Sequence, residues 1–436
     1  MAVARHRLRG PRFKQGGQAV LGLLMIFGIA LSVFVYNMIS PAEAYSRRHA
    51  RTEIALREAR DALIGRAASD ANRPGSMPCP DTDNDGIAEL FAGPDCPSNI
   101  GRLPWKTLGL PDLRDGNGER LWYALSGRFR DNAGAEPINS DTKGNIKVYQ
   151  DSTATVITNE AVAVVFAPDA PIGAQNRGCT VGVNCDSSDK CTTSPPSLTP
   201  KCNPANYLDT AAGVSNAASA GPFIDAQSSN TFNDKLLIVT TADLMTVVEQ
   251  RIAHEVIALL KSYKAAVGVY PWADCSNGSS DAPSAPSDPA YPDGSNRGRI
   301  PWQTTSPVNW GSGGTPPLPA WYTNNQWSWV IYYAAGKNFL EGGGAGCGTC
   351  ETIGAGSPPA DGTLILNGAV GKEAVIITTG PAGASRPHGV PWDSGWCTQT
   401  DWAAYVDDPQ NNDVSNDRYV TPSSTTYARD RIYTIP

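Results

Sequence analysis

The sequence contains few of the residues with which enzymes do chemistry. Only four of its 436 residues are histidines, and no two of them have the spacing of a zinc-binding pair. His254 and Glu255 stand together but lack the second histidine of a metalloprotease helix. The sequence also lacks a nucleophile elbow and a phosphate-binding glycine loop. We predict a protein that is not an enzyme, since a hydrolase would need a catalytic group assembled from residues far apart in the chain.

Charged residues are sparse, and most of them are acidic. They make up 18% of the chain, and the net charge is −7 even though the first 14 residues contribute only positive charges. An acidic surface repels phosphate backbones, so nucleic acid is not an expected partner.

A long uncharged stretch follows the basic N-terminus. Residues 1–17 form a basic leader, and residues 18–38 contain no formally charged side chain. This length is typical of a transmembrane helix, which we place at residues 18–40. The basic leader favours a cytoplasmic N-terminus. The sequence therefore predicts a single-pass, membrane-tethered protein whose bulk is exported from the cytoplasm.

A cleavable secretory signal is the alternative for this segment. Such signals have a shorter apolar core, which ends in a small-residue cleavage site, and residues 41–44 could imitate one. We favour a retained stem because the apolar stretch is too long and helix-compatible sequence resumes at residues 43–64.

Ten cysteines agree with export to an oxidising compartment, where an even set is usually paired. Cys79 and Cys96 bracket one polar loop, and we expect a disulfide between them. A group of four is expected to pair internally in an order that the sequence does not fix: Cys179, Cys185, Cys191 and Cys202. Four more belong to the C-terminal half: Cys275, Cys347, Cys350 and Cys397.

The exported part contains an internal duplication. The run GRLPWKT at Gly101 returns as GRIPWQT at Gly298. Further matching segments are Ala62–Ile64 with Ala258–Leu260, Cys79 with Cys275, Glu160–Val165 with Glu373–Thr378, and Asp234–Leu236 with Asp430–Ile432. We infer two tandem copies of roughly 195 residues, at residues 41–240 and 241–436.

Each copy is predicted to begin with a helix and to continue as strands. In the second copy, apolar residues recur every three or four positions from Leu244 to Tyr263, with Thr241 as the N-cap and Gly268 as the stop. Predicted strands lie at residues 121–125, 161–166, 236–239, 329–333, 374–378 and 431–435. The expected fold class is α+β: an N-terminal transmembrane helix followed by two tandem domains, each a helix packed on an antiparallel sheet.

These features resemble the prepilin-type family, which includes type IV pilins and type II secretion pseudopilins. The resemblance rests on the basic leader, the glycine before the apolar helix and, in the first copy, the segments Ala62–Gly65, Pro78–Asp81, Gly101–Leu110 and Gly118–Tyr123. It implies that a prepilin peptidase cuts after Gly17, that Gln18 becomes the methylated N-terminus, and that the chain assembles with other subunits through its N-terminal helix. It also implies a single-pass protein of the bacterial inner membrane with its bulk in the periplasm, and a pilus or the cell surface as a further location.

One position departs from the family pattern. Family members usually carry a glutamate five residues after the scissile glycine, where this chain has Gly22. A subunit without that carboxylate cannot neutralise the amine of a subunit ahead of it. The resemblance therefore implies a minor or tip subunit of a pilus or pseudopilus. The alternative is an uncleaved, membrane-anchored adhesin or binding module.

One acidic loop has the pattern of a calcium site. Asp81, Asp83 and Asp85 alternate and are followed by Gly86, as in loops that bind calcium through oxygen ligands. The twelfth position is Ala92 instead of glutamate, and Glu89 or Asp95 is the candidate substitute. The competing interpretation is a polar turn closed by the Cys79–Cys96 disulfide, without metal.

Tryptophan is concentrated in the second copy, which contains nine of the eleven. Trp327 and Trp329 alternate, so a strand would direct both to one face, where they could bind a glycan or a protein. Packing in the core is the commoner role for such residues.

Overall fold

The computed structural model describes residues 16–38, 41–132, 136–273, 296–301, 310–340, 342, 362–382, 403–413, 416–422 and 429–436. In its first two helices, side chains are described for residues 20–34 and from residue 43 onward. Most of the predicted leader lies outside the described residues.

Residues 403–405 are helical, and four further α-helices have defined bounds in the described part of the chain. They are α1 (Gly16–Met38), α2 (Pro41–Ser69), α3 (Thr241–Val267) and α4 (Ala320–Asn324). Helix α3 begins after Thr240, whose side chain accepts a hydrogen bond from the Asp243 N–H in a capping box. It ends at Gly268, whose left-handed φ of 92° closes the helix. The predicted stop is confirmed, and the N-cap lies one residue earlier than predicted.

The strands are short, apart from one long strand in the first half. They are β1 (Ile100–Arg102), β2 (Trp122–Leu125), β3 (Ile146–Gln150), β4 (Ser152–Ala167), β5 (Thr210–Ala211), β6 (Val214–Ser215), β7 (Phe223–Asp225), β8 (Lys235–Thr240), β9 (Arg297–Arg299), β10 (Ile331–Ala335), β11 (Leu364–Leu366), β12 (Ala369–Lys372), β13 (Ala374–Thr378), β14 (Arg418–Tyr419) and β15 (Arg431–Ile435). Every predicted strand overlaps one of these, although β10 begins two residues later than expected.

The two halves repeat one arrangement of four strands. In the first half β2 lies beside β1, and β4 pairs with both β2 and β8. In the second half β10 lies between β9 and β13, and β15 pairs with β13. Tyr123 on β2 and Tyr333 on β10 face matching glycines, Gly101 and Gly298.

The strand pairing also corrects part of the sequence alignment between the halves. Leu125 pairs with Ala163 in the first half, and Ala335 pairs with Ala374 in the second. Ala163 therefore corresponds to Ala374, which shifts the predicted match between Glu160–Val165 and Glu373–Thr378 by two residues.

The predicted fold class was wrong in its description of the sheets. Strand β7 runs parallel to β3, and β14 runs parallel to β11. The protein therefore has mixed sheets instead of two purely antiparallel ones. The sequence did not show these pairs because β7 and β14 are only 3 and 2 residues long.

The predicted membrane anchor was also wrong. A membrane-spanning helix needs about 20 predominantly apolar residues. In the part of the chain that the structure describes, no helix is both long enough and apolar enough to cross a bilayer. The transmembrane segment at residues 18–40 and the single-pass inner-membrane location are therefore not supported.

One apolar core joins the two halves. Buried residues of α2 and α3, including Leu56, Leu63, Leu244 and Val248, belong to the same cluster. Arg60 of α2 also forms an ion pair of 2.7 Å with Asp243 of α3. Helix α2 is thus fixed against α3, whereas α1 extends from this body.

Candidate functional site

Helix α1 exposes apolar side chains around its whole circumference. Every side chain described in this helix, residues 20–34, is exposed. Eleven of them are large and apolar, with exposed fractions between 52% and 70%. A helix that is apolar on all sides is normally buried against other structure. The described part of this chain provides no cover for α1.

The predicted processing position lies at the start of this helix. The backbones of Gly17 and Gln18 belong to the first turn of α1, which begins at Gly16. An added Cβ at Gly22 would meet no atom within 4 Å. Cleavage after Gly17 and methylation at Gln18 stay predictions.

The acidic loop is organised around the buried carboxylate of Asp81. This residue is 1% exposed. Its Oδ1 accepts hydrogen bonds from the N–H groups of Asp83 (3.2 Å) and Asn84 (2.7 Å), and its Oδ2 accepts one from Gly86 (2.7 Å). Burial raises the pKa of Asp81 to about 7, and the charges of Asp83 and Asp85 act in the same direction. Both Asp81 oxygens are thus used to shape the loop.

A lysine far away in the sequence bridges the other two aspartates. The Lys190 Nζ lies 2.8 Å from Asp83 Oδ2 and 2.8 Å from Asp85 Oδ2. These hydrogen bonds raise the pKa of Lys190, which keeps it charged. The lysine segment is held in place because the neighbouring Cys191 N–H donates to the Asp83 carbonyl at 2.7 Å. We call Asp83, Asp85 and Lys190 the lysine clamp.

Glu89 completes the acidic group predicted from the sequence. Oxygens of Asp81, Asp83 and Glu89 lie within 4.8 Å of one another, close enough to contact one cation. However, Glu89 Oε1 already accepts hydrogen bonds from the Thr82 N–H (3.1 Å) and hydroxyl (2.6 Å). With the Lys190 ammonium on Asp83, these residues fit a loop held together by its own internal contacts better than a calcium site. Calcium binding stays a prediction, and a bound calcium ion would have to compete with Lys190 for Asp83.

Covalent and steric constraints hold the loop in one conformation. The expected disulfide between Cys79 and Cys96 is present in the structure. Gly86 has φ 83°, and a Cβ there would lie 2.5 Å from the Trp105 Nε1. The loop is therefore rigid, as a structural element would be.

The second group of cysteines also forms disulfides. Cys179 pairs with Cys185, and Cys191 pairs with Cys202. The Cys191–Cys202 disulfide lies beside the lysine clamp, because Cys191 directly follows Lys190 in the chain. The four C-terminal cysteines, Cys275, Cys347, Cys350 and Cys397, lie outside the described residues.

The two alternating tryptophans do not share one strand face. Trp327–Trp329 is a short 3-10 helix that follows Gln326, which has a left-handed backbone with φ 56°. Trp327 is fully buried, whereas Trp329 is 36% exposed. Trp272, Trp310 and Trp321 are also buried. Four others lie outside the described residues: Trp302, Trp392, Trp396 and Trp402.

Comparisons with protein-family models, with curated proteins and with solved structures found no match for this chain. A function must therefore be argued from the residues and their geometry.

Proposed function

We propose that this chain is a non-enzymatic structural subunit that assembles through α1 with the apolar helices of other subunits. The exposure of α1 on all sides carries the proposal. A helix with a single apolar stripe would suit docking on the chain's own sheets. A helix that is apolar on all sides, such as α1, suits burial among several neighbouring helices.

The free energy available from such burial is large. Burying one large apolar side chain stabilises by about 1.5–3 kcal/mol when it starts fully exposed. The eleven on α1 are roughly half to two thirds exposed. Together they could contribute on the order of 10–20 kcal/mol before association costs. The costs of association are about 4–15 kcal/mol, so assembly through α1 is favourable only when most of the exposed surface of α1 is covered.

The type of assembly follows from the resemblance to type IV pilins and pseudopilins. We propose a minor or tip subunit, because Gly22 lacks the carboxylate that a subunit within a shaft would offer to the N-terminal amine of the subunit ahead. The prepilin peptidase and other pilin-like subunits are the proposed partners. The disulfides favour an oxidising compartment outside the cytoplasm.

Sedimentation velocity of the purified chain in detergent-free buffer tests this proposal. Ile26 lies on α1 and is 70% exposed, and Ile54 on α2 is 60% exposed. In the absence of its partner subunits, we expect the exposed apolar surface of α1 to make the wild type and Ile54→Asp self-associate, and Ile26→Asp to shift to monomers. Equal assembly of both variants would overturn the proposal, as would wild-type monomers that instead float with lipid vesicles.

The competing function is an extracytoplasmic binding module that never enters a filament. The two proposed functions differ in whether the chain is cleaved after Gly17. Mass spectrometry of the chain from its native host should find an N-terminus at Gln18, methylated, if the subunit is processed as proposed. A chain that retains residues 1–17 would favour the binding module.

A further inference from the structure

A cleft lies where loops from the two halves meet. Its walls come from residues 136–143 of the first half, residues 326 and 329 of the second half, and Tyr405. Its volume is about 390 Å³. Ligand-binding pockets usually measure about 300–1,000 Å³, so the cleft can hold one or two sugar-sized groups.

Hydrogen bonds between the halves hold the loops that line this cleft. The Asn139 side-chain amide donates to the Asn325 carbonyl at 3.0 Å, and the Ile138 N–H donates to the Asn325 Oδ1 at 3.2 Å. On the same loop, the Asp141 Oδ1 accepts a hydrogen bond from the Ala382 N–H at 2.9 Å. The cleft is therefore preformed, which lowers the entropic cost of binding a ligand.

A strained turn places an aromatic ring in this cleft. Gln326 adopts the left-handed conformation that non-glycine residues rarely adopt, at a cost of roughly 1–2 kcal/mol. The turn directs Trp327 into the core and leaves Trp329 partly exposed on the cleft wall. Backbone strain of this kind concentrates at functional sites, where the surrounding structure compensates for it.

The charges on the wall balance one another. Arg128 and Lys143 supply two positive groups, and Glu136 and Asp141 supply two negative ones. Arg128 lies 3.8 Å from Glu136, and Lys143 lies 2.9 Å from Glu160 outside the cleft. A balanced wall gives no net attraction for an anion or a cation.

We propose that this cleft binds a neutral saccharide. The indole of Trp329, which is 36% exposed, offers an apolar face to the C–H side of a sugar ring. The Gln326 amide on the cleft wall can exchange hydrogen bonds with sugar hydroxyls, and the Thr142 hydroxyl, which already donates to the Pro137 carbonyl at 2.9 Å, can accept one. The proposal does not depend on assembly through α1.

Calorimetric titration of the full chain tests this proposal. The probes are maltohexaose, cellohexaose, chitohexaose and mannohexaose, with a heparin hexasaccharide as the charged comparison. We expect binding of at least one neutral probe, a loss of affinity of tenfold or more in Trp329→Ala, and partial recovery in Trp329→Phe.

Phe91→Ala is the matched control, because Phe91 is 37% exposed and Trp329 is 36% exposed. This variant should bind like the wild type, and thermal unfolding should confirm that all variants are folded. The proposal is overturned if none of the neutral probes binds, if only the heparin fragment binds, or if Trp329→Ala binds as tightly as the wild type.

Discussion

Replacing Lys190 by methionine removes the only cation that the structure places between Asp83 and Asp85 among the described residues. The Lys190 side chain is 38% exposed, and the two carboxylates are 17% and 21% exposed. Solvent screens such pairs to about 0.2–1 kcal/mol each. We therefore expect Lys190→Met to lower the free energy of unfolding by about 1 kcal/mol, or about 2–4 °C in melting temperature.

The same substitution should create a response to calcium. Without the ammonium, oxygens of Asp81, Asp83 and Glu89 remain close together with no internal cation to neutralise them. Calorimetry of each variant in EDTA and in millimolar calcium should show a rise in melting temperature for Lys190→Met. The wild type should not respond, because calcium would first have to displace Lys190.

Lys201→Met is the matched control. Lys201 lies on the same disulfide-rich segment and pairs with one carboxylate, Asp189, at 2.8 Å. Its removal should leave the calcium response as small as in the wild type. The reasoning fails if the wild type is stabilised by several degrees in calcium, or if Lys190→Met shows neither a lower melting temperature nor a calcium response.

Three further changes test other parts of the structure. Gly86→Ala should destabilise by about 2–4 kcal/mol in urea unfolding, because the new methyl group meets the Trp105 indole and the backbone has φ 83°; an effect below 1 kcal/mol would contradict this. Cys79→Ser, which breaks the bridge to Cys96 across 17 residues, should cost about 2–4 kcal/mol in urea unfolding under oxidising conditions; a loss below 1 kcal/mol would contradict this. Burial raises the pKa of Glu249 above 4.5, so its ionisation opposes folding, and wild-type stability should fall relative to Glu249→Gln as pH rises from 4.5; a pH-independent difference would refute this.

The regular parts of the fold could be predicted because local patterns determine them. The apolar stripe of α3 and Gly268 follow from helical periodicity and from the conformational freedom of glycine. The central strands are continuous apolar runs. The residues predicted as strands at 161–166 in β4 and 374–378 in β13 are all buried. The duplication could be predicted because both halves retain the segment that begins at Gly101 and at Gly298. In the structure these two glycines pair with Tyr123 and Tyr333. These tyrosines donate hydrogen bonds to the Pro78 and Pro271 carbonyls, respectively.

Features that depend on distant contacts could not be predicted. The spacing of Asp81, Asp83 and Asp85 indicated a cation, but the cation on Asp85 belongs to Lys190, 105 residues later. No local pattern marks such a partner. The alternation of Trp327 and Trp329 suggested a strand. In the structure, Gln326 has a left-handed backbone and a 3-10 helix follows it. Position 326 has no turn residue such as glycine from which this could be predicted.

Photo-crosslinking within α1 tests the central claim most directly. A benzoylphenylalanine placed at Phe27, which is 67% exposed, should crosslink to α1 of another subunit. The same group at Ile54 of α2 should give no crosslink between chains. Mass spectrometry that identifies a peptide from residues 16–38 linked to the apolar helix of another subunit is the predicted result. Crosslinks from position 27 only to the chain's own sheets, or none between chains, would contradict the account.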